Sequence, residues 1–210
     1  MPVNREDVLR WFSALQKVFN ENRQQLTDLD SALGDGDFGI SLDRGFTAVQ
    51  AELTANPPAD IRGVFQTAAT VLIKTMGGTS GPLLGTFFLR AAAACAGKSE
   101  LAPADVVAFF QAGVEGLQQR GKAVLGDKTM MDAWLPAVDA MRSALEAGSG
   151  MTEILDRGAA AAEAGMRSTI AMQARKGRGS YLGERSVGHQ DAGATGTCLL
   201  FEAAAEVWRS

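Results

Sequence analysis

Cysteine and histidine are nearly missing from this 210-residue chain. Its two cysteines, Cys95 and Cys198, form no CxxC pair, so a reduced, cytoplasmic setting is the simpler expectation. Cys95 lies in the alanine run 91–96 and reads as part of a packed helix face. The single histidine, His189, stands beside Asp191 and suits a local hydrogen bond. No serine–histidine–aspartate set falls at a catalytic spacing. Long apolar runs are also missing. The best membrane candidate, residues 82–96, is interrupted by Arg90 and falls short of the roughly 20 residues a spanning helix needs. It reads as a core helix. The first twenty residues mix charge with apolar positions, unlike a secretory leader. Positive charge is not in excess: the formal net charge is −4, which argues against non-specific nucleic-acid binding. No stretch alternates apolar and polar residues between turns, so no strand is required.

What is present is helix period. Hydrophobic residues at 46% and charged residues at 21% suit one globular domain spanning 1–210. Val8, Phe12, Leu15, Phe19, Leu26 and Leu29 predict one continuous first helix, capped by Asn4 with Asp7 three residues on. A second runs from near Gly39 to Ala55, ended by Pro57-Pro58. A third is capped by Asp60 and stopped at Met76-Gly77-Gly78. Thr79-Ser80-Gly81-Pro82 opens a fourth. The fifth runs from Pro103 to Gly121, and the sixth carries Trp134, Val138, Met141 and Leu145. A seventh is capped by Thr152. Residues 173–193 lose periodicity and read as a long irregular loop, before a final helix from Ala194 to Trp208. The fold expected is all-α: eight helices in an up-and-down antiparallel array, with no linker long enough to divide it.

The stretch 27–39 holds the densest chemistry. Asp30, Asp35 and Asp37 place three carboxylates within eight residues, and Gly34, Gly36 and Gly39 let the backbone bend between them. Carboxylates brought together need a cation or strong donors. Hard oxygen ligands without nearby histidine or cysteine favour Mg²⁺ or Ca²⁺, and Mg²⁺ usually completes its shell with water and phosphate. The same stretch also reads as an acidic turn facing solvent. In an up-and-down array, loops leaving odd-numbered helices share one end. Loops 30–39, 77–81, 121–132 and 173–193 all satisfy that parity, so they are expected at one mouth. Gly77-Gly78-Thr79-Ser80-Gly81 offers bare backbone N–H groups and hydroxyls suited to phosphate, or a simple helix stop. Arg175, Lys176, Arg178 and Arg185 can neutralise phosphate charge from the long loop, or form a solvated basic surface.

Two nucleotide motifs fail on inspection. Residues 116–123 fit GxxxxGK but end in Ala123, where a hydroxyl should reach Mg²⁺, and they follow a helix. Residues 177–183 have one residue too many for GxGxxG and no βαβ context.

Gly34-Asp35-Gly36-Asp37, Gly77 to Pro82, Gly126-Asp127-Lys128-Thr129-Met130 and Gly183 to Asp191, in that order, resemble the nucleotide-binding L subunit of bacterial dihydroxyacetone kinase. The resemblance runs essentially from end to end. It implies an eight-helix antiparallel barrel with ADP or ATP at one end. It also implies two Mg²⁺ ions on Asp30, Asp35 and Asp37, and phosphate contacts at Gly78, Thr79, Ser80 and the segment Phe38, Gly39, Ile40 and Ser41. The nucleoside would be enclosed by Gly121, Met130, Arg178, Asp191, Ala192 and Gly193, with Arg178 as the catalytic residue. The sequence departs from the family pattern at Phe38, where histidine is frequent, at Ser41, where asparagine is frequent, and at Ala192, where proline is common. Phe38 cannot donate a hydrogen bond to phosphate.

In that family a separate K subunit holds the ketose, which agrees with the absence of an evident general base here. The implied activity is a glycerone (dihydroxyacetone) kinase, an alcohol-accepting phosphotransferase. Three readings stay open. ADP stays tightly bound and is rephosphorylated by a phosphotransferase-system donor, the M subunit; or ATP exchanges from solution; or the chain is a nucleotide-carrying interaction module for a transcriptional regulator. Dihydroxyacetone is the default acceptor and a tetrulose remains open, as does a homodimer. The length suits a stand-alone subunit better than a fused two-domain kinase. Neither nucleic acid nor membrane is expected as a partner.

Overall fold

The computed structural model describes residues 2–209. Among them run nine α-helices: α1 (Arg5–Glu21), α2 (Arg23–Leu33), α3 (Phe38–Ala55), α4 (Ile61–Thr75), α5 (Ser80–Ala94), α6 (Pro103–Gly121), α7 (Met131–Glu146), α8 (Met151–Ser168) and α9 (Ala192–Val207). The chain is all-α apart from one short bridge. No helix among the described residues is long and apolar enough to cross a membrane.

The helix starts follow from their caps. Asn4 Oδ1 accepts from the N–H groups of Glu6 and Asp7 at 2.9 and 3.1 Å, and the Asp7 carboxylate accepts from Asn4 N–H at 2.8 Å. Three backbone donors are thereby satisfied, those of Asn4 and Asp7 reciprocally. Asp60 Oδ1 accepts from Gly63 N–H at 2.7 Å, and Pro103 opens α6, where a missing N–H costs nothing.

The expected first helix is not continuous. Asn22 (φ −97°, ψ 9°) separates α1 from α2. Its side-chain amide donates to Val18 O at 2.8 Å, sharing the carbonyl that its own N–H reaches at 3.0 Å, a competition typical of asparagine. Leu26 N–H still reaches Asn22 O at 3.0 Å, so the helix kinks without reversing, and the apolar period runs across the break.

Three further boundaries differ from expectation. Val3–Asn4 (β1) and Glu100–Leu101 (β2) pair antiparallel, Val3 opposite Leu101; two residues are too few to show alternation. Gly150, not Thr152, occupies the cap position of α8. Residues 173–193 are not wholly irregular, because a 3₁₀ segment spans Arg178–Ser186, kinked at Gly183.

Taken with α1–α2 as one kinked stave, eight staves run up and down. Successive staves pack side by side and α9 returns onto α1, closing the ring. Aromatic side chains fill the interior. The Trp11 ring lies 5.6 Å from Phe12, 6.2 Å from Phe88, 6.0 Å from Phe110 and 4.9 Å from Trp208, centroid to centroid. Phe110 stacks on Phe201 at 5.0 Å. Such rings contribute by area and by offset or edge-on geometry. At the pole where β1 meets β2, Trp208 Nε1 donates to Asp7 O at 3.1 Å, which ties the last helix to the first. Space for a ligand is left at the opposite pole.

Candidate functional site

A cavity of about 520 Å³ opens at that second pole. It is built by the connections α2–α3, α4–α5, α6–α7 and α8–α9, the four loops that parity assigns to one end. Because the α1–α2 kink preserves chain direction, the parity argument survives the extra helix.

The first wall is acidic. The Gly-rich turn after α2 brings Asp30, Asp35 and Asp37 together so that one ligand oxygen from each lies within 4.8 Å of the others. Asp30 Oδ2 accepts from the N–H groups of Asp37 and Phe38 at 3.0 and 3.2 Å, which fixes it against the start of α3. Arg178 pairs with Asp35 across the opening. Three hard oxygen donors at this separation fit a divalent cation.

The second wall is the α4–α5 turn. Gly78 holds a left-handed backbone (φ 63°), which glycine tolerates without strain. Thr79 takes the cap position of α5 but makes no side-chain cap bond. Thr79 and Ser80 both line the cavity. Arg44 of α3 donates to Thr75 O at 2.9 Å and to Ser41 Oγ at 3.5 Å, joining this turn to the acidic wall.

The third wall, between α6 and α7, supplies Gly121, Thr129, Met130 and Met131. Apolar faces of Leu83 and Leu117 continue it. The fourth is the strap 173–191, from which Lys176 and Arg178 face the cavity, followed by Asp191, Ala192 and Gly193 at the start of α9. The Asp191 carboxylate accepts from Ala194 N–H at 2.7 Å. Burial pushes it from an ordinary 3.8 up to about 7; the charges of Asp132 and Asp30 push the same way, and the Ala194 N–H and Lys128 oppose.

Of the site residues expected from sequence, Asp30, Asp35, Asp37, Phe38, Ser41, Gly78, Thr79, Ser80, Gly121, Met130, Arg178, Asp191, Ala192 and Gly193 line this one cavity. Gly39 and Ile40 do not. Gly39 packs on α2, where an added Cβ would stand 2.2 Å from Arg23 O, and Ile40 turns outward, 48% exposed. Arg175 and Arg185 also stand outside the lining. The engaged part of His189 is its carbonyl. Residues 116–121 are ordinary α6 helix, with Gly116 packed on Arg90, so the GxxxxGK resemblance is accidental.

Sequence reasoning passed over three residues. Arg120 lines the cavity at the end of α6; a basic residue in the last turn before the mouth was the available signal. Asp132 is fully buried and accepts from Gly126 N–H at 2.5 Å and Thr129 N–H at 2.8 Å, shaping the third wall. Lys128 is 2% exposed, and nothing in its sequence surroundings marks a buried lysine.

The sequence profile of the DAK2 domain matches residues 32–206. The chain belongs to the DAK2 domain family. It is 40% identical over 202 residues to the PEP-dependent dihydroxyacetone kinase, ADP-binding subunit DhaL, of Escherichia coli K12, covering 96% of each chain. It is 40% identical to the corresponding subunit of PEP-dependent dihydroxyacetone kinase 1 from Listeria innocua, covering 97% of this chain and 96% of that one. In three dimensions this DAK2 domain resembles the dihydroxyacetone kinase of C. freundii, with a TM-score of 0.76 and 25% identity over 95% of the chain. It spans only 34% of that kinase.

Proposed function

We propose that this DAK2 domain is the nucleotide-binding subunit of a dihydroxyacetone kinase. In this reading it holds ADP or ATP with Mg²⁺ at the barrel mouth and presents the terminal phosphoryl group to a short ketose on a separate K subunit. One observation carries the reading: three convergent carboxylates, a glycine–hydroxyl turn and a cationic strap surround a single cavity. End-to-end similarity to proteins described as ADP-binding subunits supports it.

Asp30, Asp35 and Asp37 would hold the Mg²⁺, two ions if the family resemblance carries over, and the metal supplies charge neutralisation for the phosphates. The chain's own groups do the rest. Gly78 leaves room for close backbone approach, and Thr79 and Ser80 line the cavity with hydroxyls that would be available to phosphate oxygens. Arg178 is placed to offset charge developing on the transferred group; phosphoryl transfer depends largely on such positioning and electrostatics. Leu83, Leu117 and Met130 offer an apolar surface for the base. The one lining carboxyl outside the cation cluster, Asp191, is engaged by Ala194 N–H in capping α9, which is consistent with acid–base groups supplied by the partner.

The relatives' description as PEP-dependent favours ADP that stays bound and is rephosphorylated by the M subunit of a phosphotransferase system. Native mass spectrometry of freshly purified protein tests this directly. Retained ADP is expected, whereas nucleotide-free protein binding ATP only at millimolar concentration would favour exchange from solution. Asp35→Asn, which removes one anionic ligand, is expected to weaken ADP–Mg²⁺ retention by at least about tenfold. Unchanged affinity in that variant would sink the cation assignment.

A further inference from the structure

Lys128 is a charged side chain folded into the protein. Its backbone is left-handed (φ 60°), which turns the side chain away from α7 and under the strap. The ammonium donates to four backbone carbonyls: Thr169 O at 2.8 Å, Met172 O at 3.0 Å, Ser186 O at 2.7 Å and His189 O at 2.5 Å. Three protons are shared among four acceptors.

The acceptors have one origin. Thr169 and Met172 precede the strap, and Ser186 and His189 lie near its far end. Lys128 therefore sits at the neck of an Ω-type loop and holds its two stems together. Weaker ties run alongside. Gly188 N–H reaches Ile170 O at 2.7 Å and Arg175 N–H reaches Asp127 O at 3.0 Å. Ala174 N–H reaches Ser186 Oγ at 2.9 Å, and Asp191 N–H reaches Thr169 Oγ1 at 3.0 Å. Every one of these is a single neutral bond. Lys128 alone contributes several charge-assisted bonds, which are roughly twice as strong as neutral ones.

The neck has a direct bearing on the cavity. Between the stems lie Lys176 and Arg178, the strap's two cavity-lining cations, and Arg178 reaches across to Asp35. Their side chains are long and flexible, so their placement depends on the backbone that carries them. That backbone has few buried apolar contacts: Tyr181, at the crest, is 88% exposed. Lys128 also borders the cavity, but its ammonium is taken up by the four carbonyls. The geometry therefore assigns Lys128 as a positioning residue, which sets the strap, and through it Arg178 and Lys176, over the cavity. The nucleotide arms of its test rest on the proposed function; the ligand-free arm does not.

Lys128→Met keeps an unbranched stem of nearly the same length and removes every side-chain donor. Without ligand, amide hydrogen exchange in this variant is expected to accelerate across 173–189 while α3 to α6 keep their protection. Equal acceleration throughout the chain, or none in the strap, would overturn the assignment whatever the nucleotide reading. With ADP and Mg²⁺, release of ADP is expected to speed up by about tenfold or more, since charged hydrogen bonds are at stake. The same substitution in an Arg178→Gln, Lys176→Gln background should add little, because the groups it positions are already gone. Full additivity would show that Lys128 acts elsewhere.

An arm that needs no variant uses wild-type protein with ¹⁵N-labelled lysine. Coupling between sites is reciprocal, so ADP–Mg²⁺ should slow solvent exchange of the Lys128 ammonium protons. Exchange unchanged by saturating ADP–Mg²⁺ overturns the proposal. Failure of wild-type protein to bind ADP at all would instead count against the function proposed above.

Discussion

Asp191 caps a helix and walls the cavity with the same carboxylate. With its carboxyl raised to about 7 in the folded chain, the folded state holds a proton that the unfolded state has released above its ordinary 3.8. This group's contribution to stability is therefore present below about pH 4 and lost as the pH rises toward 7. Thermal unfolding of ligand-free protein should show that decline, and Asp191→Asn should flatten it. Asparagine keeps an oxygen for Ala194 N–H and is itself a good cap. An identical pH profile in the two proteins would disprove the assignment. At this scale the convergence of Asp30, Asp35 and Asp37, and their sharing of one cavity with the Thr79-Ser80 turn, was legible from residue type and spacing. The sequence was opaque at Gly39 and Ile40, because a helix turns successive residues onto different faces. Lys128 was opaque for another reason: its burial depends on carbonyls more than forty residues away.

Helices α7 and α8 meet at an unusual point. Pro136 lies inside α7 and lacks the N–H that would bond Asp132 O. On the neighbouring helix, Gly165 approaches that same carbonyl so closely that an added Cβ would stand 2.0 Å from it. Glycine to alanine in a helix interior ordinarily gains about 1 kcal/mol. Here Gly165→Ala is expected to lose about 1–3 kcal/mol by forcing the helices apart. Because the Asp132 side chain organises the 126–129 turn, ADP affinity should fall as well. Urea denaturation checks the first effect, and a more stable variant would refute it. Element boundaries were legible where a cap or a proline fixes them, as at Asn4, Asp60 and Pro103. The Asn22 kink was hidden because the apolar period continues through it, and the β1–β2 bridge because two residues show no pattern.

Across the whole molecule, alternating chain direction sorts connections between two poles. Loop parity made the mouth legible from sequence, although the sequence did not show the 3₁₀ order within the strap. The arrangement predicts a collective response. ADP with Mg²⁺ should protect amides in 30–41, 77–81, 121–131 and 173–193 together, leaving the turns 56–60, 95–102 and 147–150 unchanged in hydrogen exchange. Protection limited to one loop, or spread equally to both poles, would contradict the single shared site.

The bond from Trp208 to Asp7 and the pairing of Val3 with Leu101 place Val3 and Trp208 at the pole away from the mouth. A helix of some sixteen residues rises about 25 Å, and that length separates Val3 and Trp208 from the cavity. A tether, fluorophore or carrier domain joined at either end would therefore behave as a handle at the base of the barrel. The opening stays free to meet whatever delivers or receives the phosphoryl group.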